Sequence, residues 1–113
     1  MDLSMNDLYL NFAALSQGIA LNDRLVALKL QNNCIDGRKH QIELIRIIMN
    51  HKSLTSLDLG NSEAIKNRNR INNDGLIAIS TALFESECSL LSQLSLQSCG
   101  ITNEGLQKLG QAI

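Results

Sequence analysis

A leucine spacing that recurs along the 113-residue chain constrains its fold more than any other feature. Each copy follows the pattern LxxLxL, and the copies begin at Leu25, Leu54 and Leu91. Side chains alternate between the two faces of a strand, so the last two leucines of each triplet lie on one face. The spacing therefore predicts three strands, around Ala27–Gln31, around Ser56–Gly60 and at the last triplet, each with one apolar face. Leu57, Leu59, Leu94 and Leu96 are expected to be almost fully buried between sheet and helices.

A helical pattern follows the second and third triplets, and the two patterns share one register. Apolar residues and a glycine recur at helical spacing in both, and the segments are expected to begin near Asn73 and Thr102, with the first ending near Glu85. The matching positions are Ile71, Asp74, Gly75, Leu76, Ile79, Ala82 and Leu83 in one segment and Ile101, Glu104, Gly105, Leu106, Leu109, Ala112 and Ile113 in the other. One strand-helix unit cannot bury its own apolar edge, so the copies are expected to stack side by side.

Two further helices are expected earlier in the chain. Ser4 and Asp7 have the spacing of a capping box, which predicts a helix start there. The apolar face of that helix would consist of Leu8, Phe12, Leu15 and Ile19. After the first strand, a helix over Arg38–Asn50 is expected to bury Ile42, Ile45, Ile48 and Met49.

The segments LVALKLQNNCI, LTSLDLGNS and LSQLSLQSCGITNEGLQKLGQAI resemble the leucine-rich repeat family, in its long, ribonuclease-inhibitor-like class. The resemblance implies an α/β fold: a short right-handed strand-helix horseshoe, or solenoid, with parallel inner strands and outer helices. We expect one domain over residues 1–113 with about three strands and four helices, forming a segment of a longer repeat array. Two departures stand out. Ser62 occupies the place where the family has the asparagine or cysteine of the turn, and an insertion separates Gly60 from Ile71.

Composition and cysteine count narrow the range of partners and cellular locations. Ten basic and eleven acidic residues nearly balance, so charge gives no argument for nucleic acid or a membrane surface as partner. No long apolar run predicts a membrane span. Three cysteines, Cys34, Cys88 and Cys99, are an odd number, which favours reduced thiols and a cytoplasmic location. Cys34 and Cys99 are expected two strands apart, too far for a disulfide bond.

The sequence carries no pattern of a catalytic or cofactor site. It contains no phosphate-binding loop, no G-x-S-x-G elbow, no H-E-x-x-H pair and no Cys-x-x-Cys pair. No nucleophile, base and orienting group can be placed together, so the chain is expected to be neither an enzyme nor a binder of cofactors or metals.

Polar positions of the strands and one basic loop are the candidate partner-binding residues. Strand alternation sends the polar residues of each strand away from the leucines, and in-register stacking would put Lys29, Asp58 and Ser95 in one row. A Lys29–Asp58 ion pair could form across that row. The basic loop is either a solvated excursion or a contact for an acidic partner or a phosphate. The candidates are Lys29, Gln31, Ser56, Asp58, Gln93, Ser95 and Gln97 on the strands and Lys66, Arg68 and Arg70 in the insertion.

These features favour a protein-protein interaction scaffold that binds a protein partner through its concave strand face and adjacent loops. Two alternatives stay open: a regulator of a partner enzyme, acting through Arg68 or Arg70, and a structural subunit of a larger assembly. We also expect that the chain can self-associate through its C-terminal edge. No polar capping segment follows Ile113, and the strand at Leu94 would be an exposed edge.

Overall fold

The computed structural model describes residues 1–63, 66–86 and 90–112. Strands and helices alternate along the chain, as the leucine pattern predicts. The helices are α1 (Phe12–Leu21), α2 (Gln41–Asn50), α3 (Asn72–Glu85) and α4 (Asn103–Ala112), and the strands are β1 (Ala27–Lys29), β2 (Ser56–Asp58) and β3 (Gln93–Ser95). The strands form a parallel sheet in the order β1-β2-β3, and each helix packs on the next one along the chain.

The core lies between the sheet and the helices. Leu57 and Leu59 are almost fully buried, as expected. Leu28 of the first repeat is buried as well, and Phe12 closes the core on the side of α1. The expectation that Leu94 and Leu96 are equally buried is wrong, since both are only half-buried. Leu94 belongs to β3 and Leu96 follows directly after it, and β3 has a neighbouring strand on one side only within the described sheet.

The prediction of a helix start at Ser4 and Asp7 is wrong. The first five residues instead run parallel to β1, where the N–H groups of Leu3 and Met5 donate to the carbonyls of Lys29 and Gln31 at 2.9 Å each. Met5 and Asp7 have positive φ angles of 64° and 49°, which no helix accommodates. The helix therefore begins only at Phe12, and the residues before it take the place of a strand and turn.

The predicted buried face of α2 is wrong in part. Its buried residues are Leu44, Ile47 and Ile48, whereas Ile42 is 68% exposed. The helix is apolar around most of its circumference, so two different stripes at helical spacing fit the same sequence. The half-buried Ile45 and Met49 contact the core from its edge.

The expectation that Ser62 occupies the turn position of the second repeat is also wrong, because Asn69 takes that position. Asn69 is 1% exposed, and its Nδ2 donates to the carbonyls of Leu30 and Leu59 at 2.8 and 2.9 Å. Its Oδ1 accepts from the N–H groups of Asn33 and Ile35 at 3.0 and 2.9 Å. The extra residues of the insertion thus precede the turn position, and Asn69 ties the first two repeats together.

Candidate functional site

The inner face of the sheet carries the predicted polar row. Lys29 is the register partner of Asp58, and Asp58 is the register partner of Ser95, so the expected alignment is confirmed. A shallow groove of about 440 Å³ follows this face. Five of the candidate residues line it: Lys29, Ser56, Asp58, Gln93 and Ser95.

The row has one more member than the sequence predicts, on the side of β1 that faces away from β2. Asp2 is bridged to Lys29 in parallel register, so its position continues the row beyond β1. A hydrogen bond from the Ser4 N–H to Asp2 Oδ1, at 3.0 Å, is the main reason that the pKa of Asp2 is lowered, and Lys29 adds a smaller effect. The sequence signal was present, because Asp2 precedes Leu3 as Lys29 precedes Leu30. Acidic, basic and acidic positions therefore alternate across the sheet from Asp2 to Asp58.

The charges at the middle of the row remain available to a partner. Lys29 and Asp58, both described by the structure, do not form the expected ion pair. Asp58 Oδ1 instead accepts a hydrogen bond from the Gly60 N–H at 2.9 Å, which orients the half-buried carboxylate. The Lys29 side chain is exposed. The inner face thus presents one oriented acid beside one exposed base.

A second concave site lies at the rim, where the turn after β1 meets the end of the insertion. We call this pocket of about 340 Å³ the rim pocket. Its lining residues are Tyr9, Cys34, Ile35, Asp36, Asn67, Arg68 and Arg70. The two turns are held together by main-chain bonds, including Cys34 N–H to Asn67 carbonyl at 2.9 Å and Arg70 N–H to Ile35 carbonyl at 2.8 Å.

The candidate residues therefore divide between two places. Arg68 and Arg70 lie in the rim pocket and are not part of the groove on the strands. Gln31, Gln97 and Lys66 line neither depression. The sequence analysis missed Cys34, Asp36 and Asn67 as pocket residues, although turn positions of consecutive repeats must adjoin once the strands stack.

Neither described thiol is suited to nucleophilic chemistry. Burial raises the pKa of the Cys34 thiol, with a further contribution from Asp7, and burial raises the pKa of Cys99 to about 11. Both stay protonated at neutral pH, and both are free thiols, as their expected separation implies. Cys99 Sγ donates to the Leu59 carbonyl at 3.2 Å, which is a structural role in its turn. Cys88 lies outside the described residues.

Residues 1–63, 66–86 and 90–112 show neither a cluster of metal-ligating side chains nor a helix able to span a membrane. They contain no group of three or more histidine, cysteine, aspartate or glutamate side chains placed to hold a metal ion. They also contain no helix with the length and apolarity needed to cross a membrane.

Comparison with known proteins supports a leucine-rich repeat fold. The family model described as "Leucine Rich repeat" matches residues 87–110. The structure titled "Leiomodin-1 Actin-Binding Site 2 (ABS2)" is similar with a TM-score of 0.69 at 18% identity, covering 98% of this chain and 62% of that one. The tropomodulin C-terminal domain of Caenorhabditis elegans matches with a TM-score of 0.48 at 13% identity, over 99% of this chain and 80% of that one. No curated protein matches the chain in sequence. The chain thus spans about three fifths of the leiomodin structure that it resembles.

Proposed function

We propose that this leucine-rich repeat chain is a non-enzymatic module that binds another protein through the inner face of its sheet. The observation that carries the proposal is the row from Asp2 through Lys29 and Asp58 to Ser95. Its last three members line a groove, and Lys29 and Asp58 form no ion pair with each other. A polar row of this kind contributes little to the stability of the chain itself. It can instead select a partner by charge complementarity.

The architecture proposed for this role is a short solenoid of the ribonuclease-inhibitor-like class, with the sheet as its concave side. The three strands form one parallel sheet, and each helix packs on the next one along the chain. Both features support this assignment. Such a scaffold binds extended surfaces without a deep cavity, in agreement with the shallow groove. A cytoplasmic location is part of the proposal and is supported by the free thiols Cys34 and Cys99.

Actin is the first partner to test. The similar leiomodin structure is described as an actin-binding site. A likeness at 18% identity indicates a shared fold only. Co-sedimentation with filamentous actin and a binding titration with monomeric actin would examine both forms. If neither form binds, affinity capture from a cell lysate with the purified chain as bait would supply other partners.

Matched variants decide whether a captured partner uses the inner face. Gln93→Arg places a bulky charge in the groove, and Gln17→Arg places the same charge on an exposed position of α1. Both residues are exposed, so neither change is expected to affect folding. The proposal expects Gln93→Arg to weaken binding by about tenfold or more, while Gln17→Arg leaves it unchanged. Equal effects of the two variants would reject the inner face as the binding surface.

Self-association through the edge of β3 remains a further proposal. Leu106 of α4 is 55% exposed, whereas Leu76, at the matching position of α3, is fully buried against the next repeat. An apolar edge of this kind favours addition of another strand and helix. Sedimentation over a range of concentrations would detect such association.

A further inference from the structure

The rim pocket differs from the inner face in position and in chemistry. We propose that it binds a carboxylate side chain, a glutamate or an aspartate in an acidic segment of the partner protein. This inference rests on the proposed function, since it assumes a protein partner, and it adds a second contact that fixes how the partner lies across the rim.

Two arginines supply the positive charge of the pocket. Arg70 is exposed, and its main chain is fixed on both sides: its N–H donates to the Ile35 carbonyl at 2.8 Å, and its carbonyl accepts from the Gly37 N–H at 2.9 Å. Arg68 is half-buried, and its Nη2 donates to the Ser98 carbonyl at 3.4 Å, which restrains the side chain. A guanidinium group binds a carboxylate through two parallel hydrogen bonds, and here its attachment point is already fixed.

The acidic residue of the pocket is engaged elsewhere. Asp36 Oδ1 accepts hydrogen bonds from the N–H groups of Arg38 and Lys39, at 2.8 and 3.0 Å, in the turn before α2. Those bonds hold the carboxylate at its own turn, so the exposed Arg70 is the group that can turn toward a ligand. Asp36 still contributes negative charge, and Asp7 interacts with the adjacent Cys34. These two acids offset part of the positive charge of the arginines, so charge alone gives a doubly charged phosphate little advantage over a singly charged carboxylate.

Apolar groups form the floor and one wall. Ile35 is fully buried beneath the pocket, and the Tyr9 ring meets the His40 ring edge-on with centroids 4.9 Å apart. The His40 ring packs in turn against Phe12, at 5.2 Å, and His40 Nε2 bonds to the Tyr9 carbonyl at 3.0 Å. The wall is therefore held in place before any ligand arrives, which lowers the ordering cost of binding. The methylene groups of a glutamate can pack on it while the carboxylate meets the guanidinium groups.

A titration with a defined peptide tests the inference. The probe is a short blocked peptide of alternating glutamate and alanine, added to the isotope-labelled chain while amide chemical shifts are recorded. We expect saturable shifts at Cys34, Asp36, Asn67 and Arg70, and no such shifts with the matching peptide in which glutamine replaces glutamate. Arg70→Gln should weaken binding by about tenfold, equivalent to about 1.4 kcal/mol. The matched control is Arg24→Gln, an exposed arginine in the turn before β1, which should have no effect.

Three results would overturn the inference: equal shifts with the glutamine peptide, unchanged binding by Arg70→Gln, or tighter binding of inorganic phosphate than of the acidic peptide. These results are separable from failure of the proposed function. If the partner is lost on Gln93→Arg but retained on Arg70→Gln, the inner face is the binding surface and the rim pocket is not. If both variants lose the partner and the peptide shifts appear, the inner face and the rim pocket both bind the partner.

Discussion

The Asn61 side chain binds the Asn69 main chain through two hydrogen bonds, which join the two ends of the insertion. Asn61 Oδ1 accepts a hydrogen bond from the Asn69 N–H at 2.7 Å, and Asn61 Nδ2 donates to the Asn69 carbonyl at 2.9 Å. Both side chains are buried. These two hydrogen bonds hold the ends of the inserted segment together. They place Asn69 in the turn position between the first two repeats. The insertion is thus anchored in the core of the fold at both ends, while Ser62, Glu63 and Lys66 between them are exposed.

Replacing Asn69 by alanine should strongly destabilise the chain. The change removes the partners of the Asn33 and Ile35 N–H groups and of the Leu30 carbonyl, all in the buried turns. Leaving buried groups unsatisfied costs about 1 to 3 kcal/mol each, so we expect a loss of at least about 3 kcal/mol in urea unfolding. Ser62→Ala, at the exposed position that sequence spacing had indicated, is the control and should cost less than about 1 kcal/mol. Equal losses in the two variants would contradict the assignment of the turn position to Asn69.

The middle strand β2 and the edge strand β3 should respond differently to the same core substitution. Leu57 in β2 is 1% exposed, whereas its register partner Leu94 in β3 is half-buried. Leu57→Ala should cost about 2 to 5 kcal/mol, because it removes buried surface and leaves a cavity. Leu94→Ala should cost about half as much, since less of its surface is removed from water. The comparison requires only equilibrium unfolding of the two variants, and a larger loss for Leu94→Ala would mean that β3 is covered on both sides in solution.

A close approach of two glycines joins the turn after β1 to α3. A Cβ built on Gly75 would lie 2.7 Å from the Gly37 Cα and 2.7 Å from the Ile71 Cγ2. Gly75→Ala should therefore destabilise the chain by roughly 1 to 3 kcal/mol, despite the higher helix propensity of alanine. In α1, by contrast, a Cβ on Gly18 would meet nothing within 4 Å, so Gly18→Ala should stabilise by up to about 1 kcal/mol. Thermal melting of both variants tests the pair, and stabilisation by Gly75→Ala would rule out this packing.

His51 should make the stability depend on pH. Its Nδ1 accepts from the Leu54 N–H at 2.9 Å, which requires that nitrogen to be unprotonated, and burial lowers its pKa from 6.5. Because the folded-state pKa lies below the unfolded value, the neutral ring stabilises the fold above pH 6.5. That contribution is lost as the pH falls from 6.5 through the folded-state pKa. The measurement is the unfolding free energy of the wild type minus that of His51→Asn over this range, and a difference that does not change with pH would refute the role of His51.

The inner-face register could be predicted from the sequence because it depends on two simple periodicities. Leucines every second residue fix which face of each strand is buried, and equal strand lengths then align Lys29 with Asp58. The place of the Asp2 segment was harder to recognise. Met1 stands where β1 has Leu28, and the Ser4 and Asp7 spacing imitates a helix start. Hydrogen bonds to β1, a tertiary contact, decide its conformation.

The turn position and the rim pocket show where sequence reasoning fails. Counting three residues from Leu59 leads to Ser62, and only the bonds of Asn69 to both neighbouring repeats show that the insertion shifts the register. The rim pocket combines residues from three separate segments, so no local pattern predicts it. Arg68 and Arg70 could be proposed from their charge alone, whereas the wall at Tyr9 depends on the packing of His40.

The most direct test of the account is to map where a bound partner touches the chain. Transfer of saturation from an unlabelled partner to the labelled chain reports contacting residues through their amide signals. We expect the largest effects at Lys29, Asp58, Gln93 and Ser95 on the inner face of the sheet. Effects confined to the exposed sides of α1, α2 and α3, with the inner face unaffected, would contradict the proposed function.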